Sequence, residues 1–146
     1  MRKFSEAGIH FPAANRLRSL VLRQLYIDIA TGLLAVRLAY AAVTGFLAPG
    51  IFHMRLSRYD TWRMFADELV LTVPFTQAAL VLLLALARTK QAGLYGSFAM
   101  ICFTFILPRS LRNGWNTPAA DLLLAGMAIV AAVLEGKMRA MRVRNA

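Results

Sequence analysis

The chain has 146 residues, of which 59% are hydrophobic and only 16% charged, and its mean hydropathy is +0.57. Soluble domains carry about 25% charged residues, so the composition excludes an ordinary water-soluble globule and points to an integral membrane protein. The net charge is +10, but the basic residues lie between apolar runs rather than along one helix face. That excludes the footprint of nucleic-acid binding and assigns them to topology and to contacts with anionic lipid.

Met1 to Asn15 contains no apolar core segment and no small-residue cleavage pattern, so it is expected to stay in the mature protein rather than act as a signal peptide. After Pro12, Asn15 is expected to cap a short helix. Leu17, Leu20, Val21 and Leu25 would share one face of it, and Arg16, Ser19 and Arg23 the other. Residues 1–25 thus read as a cytoplasmic segment with an interfacial helix, in which Arg16 and Arg23 anchor to headgroups. A plain basic lead-in to the first span, or a protein partner on the apolar stripe, fits the same residues.

Four apolar runs reach the length of about 17 to 25 residues that a spanning helix needs, near 26–48, 67–87, 91–108 and 118–135. Short connections make consecutive helices antiparallel neighbours. The fold class is therefore all-α, a bundle of four transmembrane helices over 26–135 followed by a basic tail over 136–146. Lys and Arg divide eleven to five between the two sides. The larger group comprises the N-terminal segment, Arg88, Lys90 and the tail, so both termini are expected in the cytoplasm of a bacterial-type inner membrane.

Arg37 interrupts the apolar run from Ile29 to Phe52. An ionisable residue at that depth costs at least about 2.5 kcal/mol and normally has a partner. With about 1.5 Å of rise per residue, Arg37 falls near the midplane and Asp121 roughly 5 Å from the outer face, a gap of about 10 Å of which an Arg directed outward can close much. Asp121 is the preferred partner, and Asp67 and Glu68 at the start of the second span are competitors. Asp28 is too far along the same helix and is expected near Arg88 or Lys90. Gln77, one turn after Pro74, is a third polar group. With Thr72 and Thr76 it either cross-bonds helices or lines a small pocket, and cross-bonding is the commoner outcome. Pro74 is expected to kink the second span and free carbonyls for such contacts.

On the outer side, Ser57 to Ala66 reads as a second interfacial helix. Ser57 and Asp60 stand at capping-box spacing, and Tyr59, Trp62 and Phe65 are suited to headgroup depth. Trp115 anchors the third connection, and Thr117-Pro118 starts the last helix. Ala92 and Gly96, and Ala128 and Ala132, have small-xxx-small spacing, with the neighbour either internal or another subunit. Cys102 is the only cysteine. That removes an intramolecular disulfide and a thiolate cluster within one chain. His10 and His53 belong to opposite sides of the bilayer, so the bundle supplies no facing haem ligands. No zinc pattern, nucleophile elbow, phosphate loop or dinucleotide fingerprint occurs. No intrinsic cofactor, no metal and no catalysis by the chain itself are expected, and a bound lipid or quinone is the group weighed.

The stretch from Arg37 through Gly45, Pro49 and Gly50 to His53 resembles the first-helix signature of the DoxX/MauE-type small membrane proteins: an Arg, an apolar stretch, a Gly, then a basic residue. Val73-Pro74-Phe75-Thr76-Gln77 and Met100-Ile101-Cys102-Phe103-Thr104-Phe105 are similar to the second and third helices of that family, so the resemblance spans roughly 29–135. Gln77 stands near where the family carries a Glu, and His53 where it carries a Lys, so an ionisable site is expected to be neutralised. The resemblance implies association with redox systems, as subunits of quinol-oxidising complexes or maturation factors for periplasmic dehydrogenases. Two readings follow. One is a non-catalytic accessory or assembly subunit with protein partners in a larger membrane redox or energy-transducing complex. The other is a bundle whose Arg37, Gln77, Asp121 and Glu68 form a polar intramembrane site for a quinone, an anion or a small solute.

Overall fold

The computed structural model of the protein describes residues 12–58, 60–106 and 119–144, with the side chains of 18–58, 62–104 and 119–143. The described elements are all helical: α1 Pro12–Leu47, α2 Pro49–Ser57, α3 Asp60–Arg63, α4 Ala66–Ala85, α5 Lys90–Ile101 and α6 Ala119–Arg144, with a π-helical turn, Cys102–Ile106, continuing α5. Three segments are long and apolar enough to cross a membrane: Arg18–Leu47, Ala66–Ala85 and Ala119–Val143.

The expected interfacial helix and first span are one continuous element. Nothing between Pro12 and Gly32 breaks a helix, so the hydrogen-bond ladder of α1 runs through Asn15, which lies inside the helix rather than before its start. Leu20, Val21 and Leu25 are exposed on its N-terminal part. The helix ends where Pro49 forces its predecessor out of the α region: Ala48 has φ −135° and ψ 62°, and Pro49 then opens α2 at a position that needs no N–H. Ser57 is the last residue of α2, and its hydroxyl donates to the Met54 carbonyl 3.1 Å away. The outer interfacial segment is therefore split into α2 and the one-turn α3, and Ser57 is not the cap of the second piece. Trp62 lies against Phe103 with ring centroids 4.3 Å apart, packed on the bundle. Tyr59 and Trp115 lie outside the described residues, as do the start signal at Thr117-Pro118 and the side chain of Arg16.

Packing follows the small residues. A Cβ on Gly45 would stand 2.6 Å from Pro74 Cγ, so α1 and α4 cross at this pair, with Pro74 buried inside α4. A Cβ on Gly96 would collide with Leu80 Cδ2, and one on Gly93 would stand 2.9 Å from the Leu84 backbone nitrogen. The four residues between α4 and α5 can therefore make a tight antiparallel turn. Ala125, Ala128, Ala131 and Ala132 of α6 are buried within the single chain, together with Ala30, Leu34 and Leu38 of α1 and Leu94 and Ile101 of α5. The small-residue neighbour left open by the sequence is internal at Gly96 and at Ala128 and Ala132.

A polar clasp closes the end of the bundle that holds the N-terminus of α5. Glu135 is a buried carboxylate, and Arg139 Nε donates to it at 3.1 Å. The same guanidinium donates through Nη1 to the Arg88 carbonyl at 2.9 Å and through Nη2 to the Ala87 carbonyl at 2.6 Å. One planar fork thus satisfies carbonyls left over after α4 ends and ties them to α6. Replacing Arg139 by Ala strands both carbonyls and the carboxylate, with an expected loss of about 2 kcal/mol. Arg139→Lys should recover less than half of it, since a point charge cannot span the three acceptors. Thermal unfolding in detergent, followed by circular dichroism, reads the difference.

Candidate functional site: an intramembrane polar pair

Arg37 projects from α1 ten residues before its C-terminal end, about 15 Å along the helix. Its Nη2 lies 3.5 Å from Asp121 Oδ1 on α6, with the Arg side chain 31% exposed and the Asp side chain 7% exposed. The carboxylate is held in the interior, while the guanidinium reaches it from the flank of the bundle. The contact is long for a charge-assisted hydrogen bond, normally about 2.7–2.9 Å, so it is an ion pair set by helix placement rather than a tight fork. Arg37 faces Asp121, and seventeen residues towards the opposite end Leu20 and Met138 wall a common cleft. The antiparallel α1 and α6 therefore keep one register over about 25 Å.

Gln77 is 2% exposed. It sits on the α4 face between Pro74, which meets Gly45 of α1, and Leu80, which meets Gly96 of α5. The amide is thus enclosed where three helices converge, and no hydrogen bond joins it to another described residue. Thr72 and Thr76 do not join it. Both are exposed and donate back along α4, Thr72 to the Glu68 carbonyl at 2.9 Å and Thr76 to the Thr72 carbonyl at 2.8 Å. Their hydroxyls are satisfied locally, as Ser and Thr commonly are in apolar helices, and neither lines a pocket with Gln77.

The competing carboxylates are placed elsewhere. Asp67 is exposed and meets His53 Nε2 at 3.1 Å, joining α4 to α2 rather than reaching Arg63. Glu68 is exposed in the first turn of α4, and no ion pair joins it to a described residue. Asp28 accepts from Lys90 Nζ at 3.0 Å and from Gln24 Nε2 at 3.0 and 3.1 Å at the opposite end. Among the described residues, no three His, Cys, Asp or Glu side chains converge as a metal site requires. The Glu135–Arg139 clasp was missed in the sequence, although a lone Glu inside an apolar run, four residues before an Arg, is a readable signal.

Spans, composition and an ionic pair between two long helices define a small multi-pass helical membrane protein. A family model described as methylamine utilisation protein MauE matches residues 23–119, about two thirds of the chain. The protein belongs to the MauE family. No curated protein and no solved structure matches it. The matched region contains Arg37 and Gln77 and stops two residues short of Asp121.

Proposed function

We propose that the protein is a non-catalytic accessory or assembly subunit of a larger redox or energy-transducing complex in a bacterial-type inner membrane. In this reading it spans the membrane four times, with both termini in the cytoplasm. The observation that carries the proposal is the flank of α1 at Arg37. A guanidinium 31% exposed lies about 15 Å from the helix end, one turn from Tyr40, which is 67% exposed. Arg37 has its ion pair with Asp121, but acyl chains offer the exposed Tyr40 hydroxyl no hydrogen bond, and polar groups within a span normally face protein or water. A neighbouring subunit is what this face fits.

The fourth span is supported by α5 with its π-helical turn, seventeen residues or about 25 Å. The orientation is supported by the surplus of Lys and Arg at the end that carries Arg88, Lys90 and the α6 C-terminus.

Mild solubilisation from the native membrane tests the reading. The protein should co-purify with a partner in fixed ratio, and Arg37→Ala should lower that co-recovery at least tenfold while leaving the chain membrane-inserted. Recovery of the protein alone, with binding of a quinone or anion that Arg37→Ala abolishes, would establish the second reading instead. The observation favouring that second reading is Gln77, whose enclosed amide lacks a hydrogen-bonding partner among the described residues.

A further inference from the structure

Twenty helical residues cross the hydrocarbon core of about 30 Å. Counted from Ala119 along α6 they end at Met138, which shares a cleft wall with Leu20 of α1. Glu135 with Arg139 lies near this level, where polar groups regain water. Beyond it α1 and α6 continue side by side, and between them opens a cleft of about 370 Å³ lined by Leu20, Met138, Met141 and Arg142. Three of the lining residues are apolar, and the fourth, Arg142, brings a positive charge.

Charge decides what the cleft accepts. At this end the two described carboxylates nearest the boundary, Asp28 and Glu135, are engaged by Lys90 and Arg139. Among the described residues no carboxylate pairs with Arg142, and Arg18, Arg23, Arg88 and Lys137 add to the positive field. An apolar groove at the headgroup boundary with an Arg at its rim, inside a basic field, matches an acyl chain joined to an anionic phosphate.

We propose that this cleft binds one anionic phospholipid, its phosphate on Arg142 and the upper part of an acyl chain against Leu20, Met138 and Met141. The site is independent of the α1 flank assigned above to a protein partner.

Native mass spectrometry of the full chain, delipidated in detergent and titrated with phosphatidylglycerol or phosphatidylcholine, provides the test. One phosphatidylglycerol should be retained about fivefold more strongly than phosphatidylcholine, the factor that corresponds to one basic residue near a membrane surface. Arg142→Gln should bring the two lipids within twofold. Leu20→Trp, which fills the cleft from an exposed position, should abolish retention of the single lipid. Arg63→Gln, in α3 at the opposite end of the bundle, should leave the preference intact. Equal retention of the two lipids by the unaltered protein would overturn the proposal, as would a loss in Arg63→Gln as large as in Arg142→Gln. A dimer that disappears in Leu20→Trp while lipid retention is unchanged would give the cleft to a second copy of the chain and overturn it equally.

Discussion

Arg37→Met is expected to destabilise the bundle by about 3 kcal/mol, the scale observed when one partner of a buried ion pair is removed. Asp121→Leu should cost less, about 1 kcal/mol, closer to the value of a pair that solvent can reach. The asymmetry follows from where the two groups lie. Asp121 is 7% exposed, so losing Arg37 leaves a carboxylate in the interior with one fewer counter-charge. Arg37 is 31% exposed on a long stem, so losing Asp121 leaves a guanidinium that can turn along the flank of α1 towards a headgroup layer. The double substitution Arg37→Met with Asp121→Leu should be more stable than Arg37→Met alone, with a coupling of at least about 1 kcal/mol. Unfolding midpoints of the four proteins in the same micelle, measured by circular dichroism, give the cycle. Strict additivity would mean that the two residues act independently and that the register of α1 against α6 is set by packing alone.

Gly93→Val is the second substitution expected to have a large effect, at about 3 kcal/mol, the upper part of the usual overpacking range. A Cβ at Gly93 would meet the Leu84 nitrogen at 2.9 Å and the Leu83 carbonyl carbon at 3.0 Å, both backbone atoms that no side-chain rotation can move away. Relief requires α4 and α5 to separate just beside their connection, which would also disturb the carbonyls of Ala87 and Arg88 held by Arg139. Gly96→Ala is expected to be milder, since the colliding atom is the end of the Leu80 side chain. Gly32→Ala is the control. Nothing lies within 4 Å of a Cβ there, and removing a glycine from a helix interior gains up to about 1 kcal/mol. Comparing the three midpoints in one detergent separates backbone approach from a general intolerance of substitution in membrane helices.

The fold was legible wherever a rule depends on nearest neighbours in sequence or on the solvent. Long apolar runs and sparse charge dictate helices in a bilayer, because only an internally hydrogen-bonded backbone survives there. The break at Ala48 was readable from Pro49. The helix start expected at Asn15 was misplaced: α1 already begins at Pro12, and a good capping residue does not start a helix where the residues before it are themselves helical. Ser57 misled for a related reason: its hydroxyl closes the helix before it as readily as it would open the one after. Thr72 and Thr76 were grouped with Gln77 by residue type, yet on a helix adjacent positions point about 100° apart, and only Gln77 turns inward.

The sequence by itself determined the membrane class and the helical architecture, since these depend on composition and run length. Family membership follows from the sequence too, through a match that covers Arg37 and Gln77. Tertiary structure alone decided how the polar groups are distributed. Asp121 lies 84 positions from Arg37 and comes within 3.5 Å of it, while Asp67 is taken by His53. Gln77 is enclosed between two glycine contacts, and Glu135 is gathered into a clasp with the end of α4. These pairings depend on the rotation of each helix about its own axis. Close glycine and alanine contacts between distant segments fix that rotation, and hydropathy along one segment does not encode it.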